Sequence, residues 1–288
     1  MTFEELYNRL LKSGVNGTLP QELDLLRQQG YDPHHLSCLL HPEKHPVVIR
    51  TDACLCQGEQ MEKCRARCYF DALFVENGSV EIDPVACVGC GDCVRGCDAK
   101  KLTESRDILP TLNALRNADV PVYAMIAPAF INQYSEAVTP GKLRAAFKKI
   151  GFAGMLEVAL FADILTLKEA LEFDHNIQTE KDYQLTSCCC PMWIGMIRKV
   201  YAQLIPHVPA AVSPMVACGR SIKKIHPNAV TVFIGPCVAK KAEAREADIS
   251  DSTDFVLTFQ EIQDVFDYSG INLAEMEEDE RDHSSKAG

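Results

Sequence analysis

The 288-residue chain has no run of apolar residues as long as the roughly 20 that a bilayer-spanning helix needs, so no membrane span is expected. Its start, Met1 to Leu6, lacks the basic stretch followed by an apolar stretch that marks a signal peptide, and we therefore expect a cytoplasmic protein. Basic residues are also scarce: the chain has 29 of them and 40 acidic residues, which gives a net charge of −11. Because nucleic-acid phosphates require a basic surface, this charge argues against a nucleic-acid partner.

Cysteine, by contrast, is abundant, with 14 residues. In a chain without a secretion signal this favours metal ligation over disulfides. Eight of the cysteines form two sets: Cys54, Cys56, Cys64 and Cys68, then Cys87, Cys90, Cys93 and Cys97. The second spacing is typical of a 4Fe–4S cluster. A zinc site is a weaker interpretation of it, because zinc favours two Cys-x2-Cys pairs separated by a longer loop.

In two-cluster ferredoxins the fourth cysteine of each set binds the other cluster. We therefore assign the eight cysteines to two groups: Cys54, Cys56, Cys64 and Cys97, then Cys68, Cys87, Cys90 and Cys93. Residues 48–102 resemble bacterial two-cluster ferredoxins. The first set departs from their pattern, because it begins with Cys-x-Cys and has a longer spacing before Cys64. A differently ligated or labile first cluster is therefore an alternative.

Along its length the chain divides into three parts: a helical lead-in (1–47), the cysteine module (48–103) and a larger domain (104–288). Thr2 and Glu5 form a capping box for a first helix, and Pro20 opens a second. In the larger domain apolar strands at 121–127, 230–234 and 255–259 alternate with helical patterns at 140–150, 160–173, 191–204 and 213–225. The sequence therefore predicts an α+β ferredoxin-like module followed by an α/β domain with a mainly parallel sheet.

One more group of metal-ligating residue types lies in the lead-in: His34, His35, Cys38, His41 and His45. Their spacing matches no common ligand pattern. We interpret them as surface histidines around one buried thiol.

Two motifs in the larger domain are unusual. The first is Thr186-Ser187-Cys188-Cys189-Cys190-Pro191-Met192-Trp193, and the second is Gly235-Pro236-Cys237-Val238-Ala239-Lys240-Lys241-Ala242-Glu243. Cys237 directly follows a predicted strand, and ligands gather at the carboxyl ends of strands in α/β sheets. The plainer interpretation of the second motif is a buried thiol followed by surface lysines.

Together the motifs resemble the first two signature motifs of FeFe hydrogenases, Thr-Ser-Cys-Cys-Pro-x-Trp and Pro-Cys-x-x-Lys-Lys-x-Glu. The resemblance implies an H-cluster, in which a 4Fe–4S cubane is joined to a di-iron site, and two upstream 4Fe–4S clusters that deliver electrons. By this resemblance Cys237 binds the cubane and Lys240 holds a cyanide of the di-iron site. Either Cys190 is a second ligand and Cys189 the proton-relay thiol, or Cys189 is the ligand and Cys188 the relay.

The resemblance also implies a proton relay through Glu169 and Glu172. Met215 and Gly235 stand where the best-studied members carry glutamine and methionine, and Cys218 is expected to be a buried core thiol. The family's third motif, Glu-x-Met-x-Cys-x3-Cys, is absent, since no cysteine follows Cys237. We interpret the sequence as the ferredoxin module plus part of a catalytic domain.

The implied function is the interconversion of H2 with protons and electrons. The implied partners are a ferredoxin or another redox protein, and the maturation factors that build the di-iron site. The alternatives are a hydrogenase-like H2 or redox sensor, a ferredoxin-type electron-transfer protein without an active di-iron site, and an iron–sulfur assembly factor.

Overall fold

The structure is a computed structural model that describes residues 1–54, 56–116, 119–185 and 189–279. Its first helix, α1 (Phe3–Asn16), begins with the predicted capping box. The Thr2 hydroxyl accepts a hydrogen bond from the Glu5 backbone N–H, and the Glu5 carboxylate accepts one from the Thr2 N–H. Helices α2 (Leu19–Leu26) and α3 (Pro33–Leu40) follow, and each has a proline in its first turn, where a missing N–H costs nothing.

The histidines near α3 are not all on the surface. His35 is only 4% exposed, and its ring packs edge-on against Phe3 with centroids 5.5 Å apart. Its Nε2 contacts the backbone carbonyl of Thr51. His35 was predicted to lie on the surface, and this prediction is wrong. The first turn of α3 packs the side that carries His35 against α1. Cys38 is buried, as predicted.

The cysteine-rich segment contains two small antiparallel sheets. Strand β1 (Val48–Arg50) pairs with β4 (Leu102–Glu104), which brings the two ends of the segment together. Strands β2 (Leu73–Glu76) and β3 (Ser79–Ile82) form a hairpin between them. The short helices α4 (Glu59–Ala66) and α5 (Asp92–Arg95) each carry one cysteine of the two sets. The ferredoxin-like character of this segment stays a prediction.

The larger domain is built on one four-stranded sheet. Its strands are β5 (Val122–Ile126), β6 (Gly154–Glu157), β7 (Val230–Gly235) and β8 (Phe255–Thr258). They lie in the order β6-β5-β7-β8 and every neighbouring pair is parallel. The two central strands are almost wholly apolar, as expected for strands covered by helices on both faces. The predicted parallel α/β domain is thus confirmed.

The helices of this domain are α6 (Ile108–Arg116), α7 (Pro140–Lys149), α8 (Ala159–Asn176), α9 (Pro191–Lys199), α10 (Pro214–Ile225), α11 (Ala239–Ala244) and α12 (Phe259–Tyr268). Helix α9 is shorter than predicted, because the amides of Val200 and Tyr201 both bond to the Met196 carbonyl and a 3-10 turn follows. Among the helices of the described ranges, none has both the length and the apolar content to cross a bilayer.

The chain has two hydrophobic cores that meet at β1. The larger core runs from α1 through the parallel sheet to α12. The smaller core comprises Val48, Leu73, Val80, Ile82 and Leu102, and all the cysteines of the two sets except Cys56 and Cys90 pack around it. Successive side chains of a strand point to opposite faces, so Val48 joins the smaller core while Ile49 joins the larger.

Candidate functional site

The first assigned group of cysteines surrounds one cavity. Cys54, Cys56, Cys64 and Cys97 line a space of about 400 Å³ next to the guanidinium-bearing Arg50 and Arg67. The backbone N–H of Lys101 points at Cys97 Sγ, 3.4 Å away. Burial raises the pKa of Cys64, and the nearby Cys97 and Cys54 thiols raise it further. The structure therefore brings together the four thiols that the spacing assigned to one group.

The second group surrounds a smaller cavity. Cys68, Cys87, Cys90 and Cys93 line it together with apolar side chains of β1, β2 and β3. The backbone N–H of Ala72 points at Cys68 Sγ, 3.3 Å away. Burial raises the pKa of Cys93 to about 12, and the neighbouring thiols of Cys87 and Cys90 add to this rise.

These features agree with an iron–sulfur ligand set. Four thiolates crowded in a half-buried space repel one another, and bound cations relieve that repulsion. Amide N–H groups directed at the sulfurs are the outer contacts that orient such ligands and tune a cluster's potential. Each group thus fits a four-iron cluster in donor number and donor type, and the kind of cluster stays a prediction.

The loop between Cys87 and Cys90 lies directly against the larger domain. Gly89 has a φ of +69°, and a methyl group on it would lie 3.1 Å from Ala239 Cα and 2.9 Å from a Val47 methyl carbon. Val88 is in similar contact with α9, because a methyl group on Gly195 would lie 2.9 Å from Val88 Cγ1. The cysteine loop therefore touches the second signature motif itself and the segment that follows the first.

Lys240 joins the two motifs. Its side-chain Nζ donates to the backbone carbonyl of Cys189, 3.0 Å away, and to Ser213 Oγ, 3.3 Å away. It also lies 2.6 Å from a carboxylate oxygen of Glu243. Lys240 is only 9% exposed, so its ammonium group is held inside the protein at the junction of α9, α10 and α11.

Lys241 is buried as well, on the opposite side of α11. Its Nζ donates to the backbone carbonyl of Ser105, 2.8 Å away, and to both carboxylate oxygens of Glu261, each 2.9 Å away. Glu261 in turn accepts the backbone N–H of Asp107, whose carboxylate lies 3.3 Å from Arg245. The interpretation of these lysines as surface residues is therefore wrong, because each has buried oxygen partners.

The cysteines of the motifs themselves lie near the surface. Cys190 is the residue before α9, and Pro191 opens that helix. Cys189 and Cys190 are exposed, and Cys237 is half-buried at the start of the turn that leads from β7 into α11. Cys188 lies outside the described residues. The choice between the two assignments of ligand and relay therefore stays open.

Glu169 and Glu172 are half-buried on one face of α8. A Glu172 carboxylate oxygen accepts the backbone N–H of Ala210, 2.9 Å away, and Lys168 Nζ donates to the carbonyl of the same residue, 3.0 Å away. Helix α8 thereby holds the loop that leads to Ser213. The proton-relay role of both glutamates stays a prediction.

Three further positions named in the sequence analysis are buried. Met215 is 1% exposed. A methyl group on Gly235 would lie 2.8 Å from the Phe233 ring and 2.9 Å from Ala127 Cβ, so these two side chains leave no room for a larger residue. Cys218 is fully buried and burial raises its pKa to about 12, in agreement with the predicted core thiol.

A cavity of about 430 Å³ lies between α9, α10 and α11. Ser213 and Glu243, the two side chains that contact Lys240, belong to its lining, as does Val88 from the cysteine loop. Most of its other lining residues are apolar. An apolar concavity with a few polar groups is the usual form of a small-molecule site.

Sequence reasoning missed Glu261 as part of this site. Ser213 before Pro214 also resembles the hydrogenase family, but its contact with Lys240 was not predicted. Glu243 is the glutamate that ends the second signature motif, three residues after Lys240, and this spacing brings side chains together on a helix. The Lys241–Glu261 pair joins two different helices and left no local signal.

Comparisons with known proteins agree with the motifs. The family model described as the C-terminal domain of the iron-only hydrogenase large subunit matches residues 120–288. The periplasmic [Fe] hydrogenase large subunit of Nitratidesulfovibrio vulgaris is 30% identical over 256 residues, which cover 70% of this chain and 61% of the relative. A variant of the [FeFe]-hydrogenase HydA1 from Chlamydomonas reinhardtii is 30% identical with a TM-score of 0.53, over 62% of this chain and 51% of that chain.

A relative with another role is also similar. The cytosolic iron-sulfur assembly component 3 of Bos taurus is 26% identical over 235 residues, which cover 70% of this chain and 49% of the relative. The chain thus spans about half to three fifths of the length of the relatives that it matches.

Proposed function

On the premise that the chain belongs to the iron-only hydrogenase family, we propose that it acts in an iron–sulfur oxidoreductase that interconverts H2 with protons and electrons. In this proposal residues 48–103 hold two 4Fe–4S clusters and residues 104–288 form part of the catalytic domain. A ferredoxin or another redox protein exchanges electrons with the clusters, and maturation factors are needed for the di-iron site.

The contact between Gly89 and Ala239 carries this proposal. It supports an electron route from the cysteine loop of residues 87–90 to the turn that bears Cys237, because the two backbones are in van der Waals contact. The second contact, between Val88 and Gly195, supports the same route to the segment after Cys190. A loop whose role was only to stabilise a ferredoxin-like module would not be expected to contact the second motif and the segment after the first.

The catalytic centre is proposed to lie around Lys240. In such hydrogenases a cubane joined to a di-iron site supplies the chemistry of H2 cleavage. Cys237 and either Cys189 or Cys190 would be thiolate ligands of the cubane, and Lys240 would present a buried ammonium group as a donor in charge-assisted hydrogen bonds. The sequence offers two of the four cubane ligands, since no cysteine follows Cys237.

Protons are proposed to move through an exposed thiol of the first motif and then through Glu169 and Glu172 on α8. Both glutamates are half-buried and share one helix face, which suits carboxylates that pass a proton to one another. The hydrogen bond from Ala210 to Glu172 would hold that carboxylate in place.

An assembly or sensory role is the second candidate. It is supported by the similarity to the bovine cytosolic iron-sulfur assembly component. One relative is named periplasmic and another cytosolic. The two names disagree, so a cytoplasmic location is part of the proposal.

An experiment on anaerobically purified protein distinguishes the candidates. We expect about eight irons per chain, about four fewer after Cys90→Ala, and an unchanged number after Cys218→Ala, since Cys218 is a buried thiol outside both groups. After exposure to hydrogenase maturation factors, infrared bands of carbonyl and cyanide together with H2 evolution would support the hydrogenase role. Full iron without those bands, in protein that is also supplied with the other two cubane ligands, would favour the second candidate, and fewer than about four irons per chain would contradict the two-cluster proposal itself.

A further inference from the structure

A cluster of metal-ligating side chains lies outside both cysteine groups. His34 and Cys38 are four residues apart on α3, a spacing that places side chains one above the other on a helix face. The 3-10 turn Pro42–Lys44 then reverses the chain and returns His45 to the same face. One ligand atom from each of the three residues lies within 4.8 Å of the other two.

The spacing of these atoms suits a tetrahedral metal ion. Cys38 Sγ and His34 Nε2 are 3.5 Å apart. Zinc–sulfur and zinc–nitrogen bonds of about 2.3 and 2.05 Å at a tetrahedral angle would separate the two ligand atoms by about 3.5 Å. A hydrogen bond between thiol and imidazole accounts for the Cys38–His34 pair alone. The His34 and His45 rings are nearly perpendicular, with centroids 5.3 Å apart.

We propose that His34, Cys38 and His45 bind a single divalent transition-metal ion of the zinc class. Two imidazole nitrogens and one thiolate are the donors that such borderline ions prefer. Cys38 is 1% exposed and forms the floor of the site, while His34 is exposed. The fourth position therefore faces solvent and takes a water molecule.

The surroundings hold His45 in this arrangement. Its ring Nε2 lies 2.8 Å from Ser37 Oγ, and its backbone carbonyl accepts a hydrogen bond from Arg245, 2.9 Å away. The ion would thus fasten α3 to the turn that leads into β1. Arg245 carries that connection to the end of α11, the helix that holds Lys240. The site is structural in this proposal, and it does not depend on hydrogenase chemistry.

The test uses the whole chain with its iron in place. Anaerobically purified protein is equilibrated with zinc, freed of excess metal, and analysed for zinc and iron by mass spectrometry. We expect one zinc per chain in the wild type, its loss in His34→Ala and in Cys38→Ala, and unchanged iron in all three. His41→Ala is the matched control, because His41 is an exposed histidine of the same segment outside the triad, and it should retain zinc.

X-ray absorption at the zinc edge provides a second readout, with one sulfur and two imidazole nitrogens expected around the ion. The proposal is overturned if the wild type binds no zinc beyond that in a His34→Ala variant whose circular dichroism matches the wild type. Zinc that accompanies a loss of iron, with only sulfur ligands, would overturn it too, because the ion would then occupy the iron–sulfur cysteines. His34 is exposed, so its substitution tests the site even if Cys38→Ala fails to fold.

Discussion

Gly89 is a residue at which the cysteine module packs against the segment after Cys237. A side chain there meets two obstacles, since the φ of +69° is unfavourable for any residue with a Cβ and the Cβ itself would lie only 2.9 Å from a Val47 methyl carbon and 3.1 Å from Ala239 Cα. Gly91 lies in the same loop with a φ of +74°, and a methyl group on it would meet no atom of the described residues within 4 Å. A comparison of alanine substitutions at the two glycines therefore distinguishes the cost of backbone strain from the cost of close packing.

We expect Gly89→Ala to destabilise the iron-loaded protein more than Gly91→Ala does. Left-handed backbone strain costs each variant about 1–2 kcal/mol, and overpacking adds about 1–3 kcal/mol for Gly89 alone. Anaerobic urea unfolding of the two variants measures the difference. Equal losses of stability would mean that the contact with Ala239 yields at no cost.

At the level of single residues, the cysteine groups could be predicted from the sequence, whereas the burial of Lys241 could not. The grouping of the eight cysteines followed from the rule that, in two-cluster ferredoxins, the fourth cysteine of each set binds the other cluster. Lys241 could not be interpreted in this way, since a lysine after a strand usually lies on the surface. Its burial depends on Glu261, which lies twenty residues away and whose own pattern predicts no more than a helix cap.

At the scale of single elements, α8 carries an unusual exposed face. Leu160, Ile164, Leu167 and Leu171 recur at helical spacing and are 49%, 56%, 67% and 66% exposed. Contiguous apolar surface of this kind favours association. The neighbouring Leu165 points the other way and is only 9% exposed.

We expect the isolated chain to self-associate through this face and to bind the dye ANS. The double substitution Ile164→Lys and Leu167→Lys should reduce both effects and leave the melting temperature nearly unchanged. Leu165→Lys is the matched control, and it should lower stability by several kcal/mol because it buries an unpaired charge. Sedimentation velocity checks the association, and a monomeric wild type without ANS fluorescence would contradict the expectation.

Most elements of the parallel sheet could be predicted. The strands β5, β7 and β8 are short apolar runs between turn signals, and their helices follow from periodicity. The end of α9 was missed because the competing bonds to the Met196 carbonyl depend on three-dimensional context. The sequence analysis grouped His34, Cys38 and His45 with two other histidines but found no ligand spacing, because a turn of three residues brings His45 back to α3.

At the scale of the whole molecule, the two cores differ in what stabilises them. The larger core combines a four-stranded sheet with helices from both ends of the chain. The smaller core has five buried apolar residues and depends on the cysteines packed around it. A core of this size rarely stabilises a fold without metal or disulfides.

We therefore expect removal of iron by a chelator and an oxidant to unfold residues 48–104 while the parallel sheet persists. Hydrogen exchange measures this within one sample. The amides of Glu81 and Asp83, which lie in the hydrogen-bonded pairs of the β2–β3 hairpin, should lose protection, and those of Val232 and Ile234 should keep it and act as the internal control. Simultaneous loss at all four positions would show that the two cores unfold as one unit.

The alternation of Val48 and Ile49 along β1 has a consequence for protein engineering. In any chimera that exchanges the iron-binding module, the number of residues inserted or deleted at the junction before Val48 must be even. One inserted or deleted residue there would direct the Ile49 side chain toward the cysteines and that of Val48 toward the sheet, and it would shift the pairing with β4. Changes of two residues keep Val48 and Ile49 on their own faces, so chimeras with a series of linker lengths should fold and bind iron at every second length.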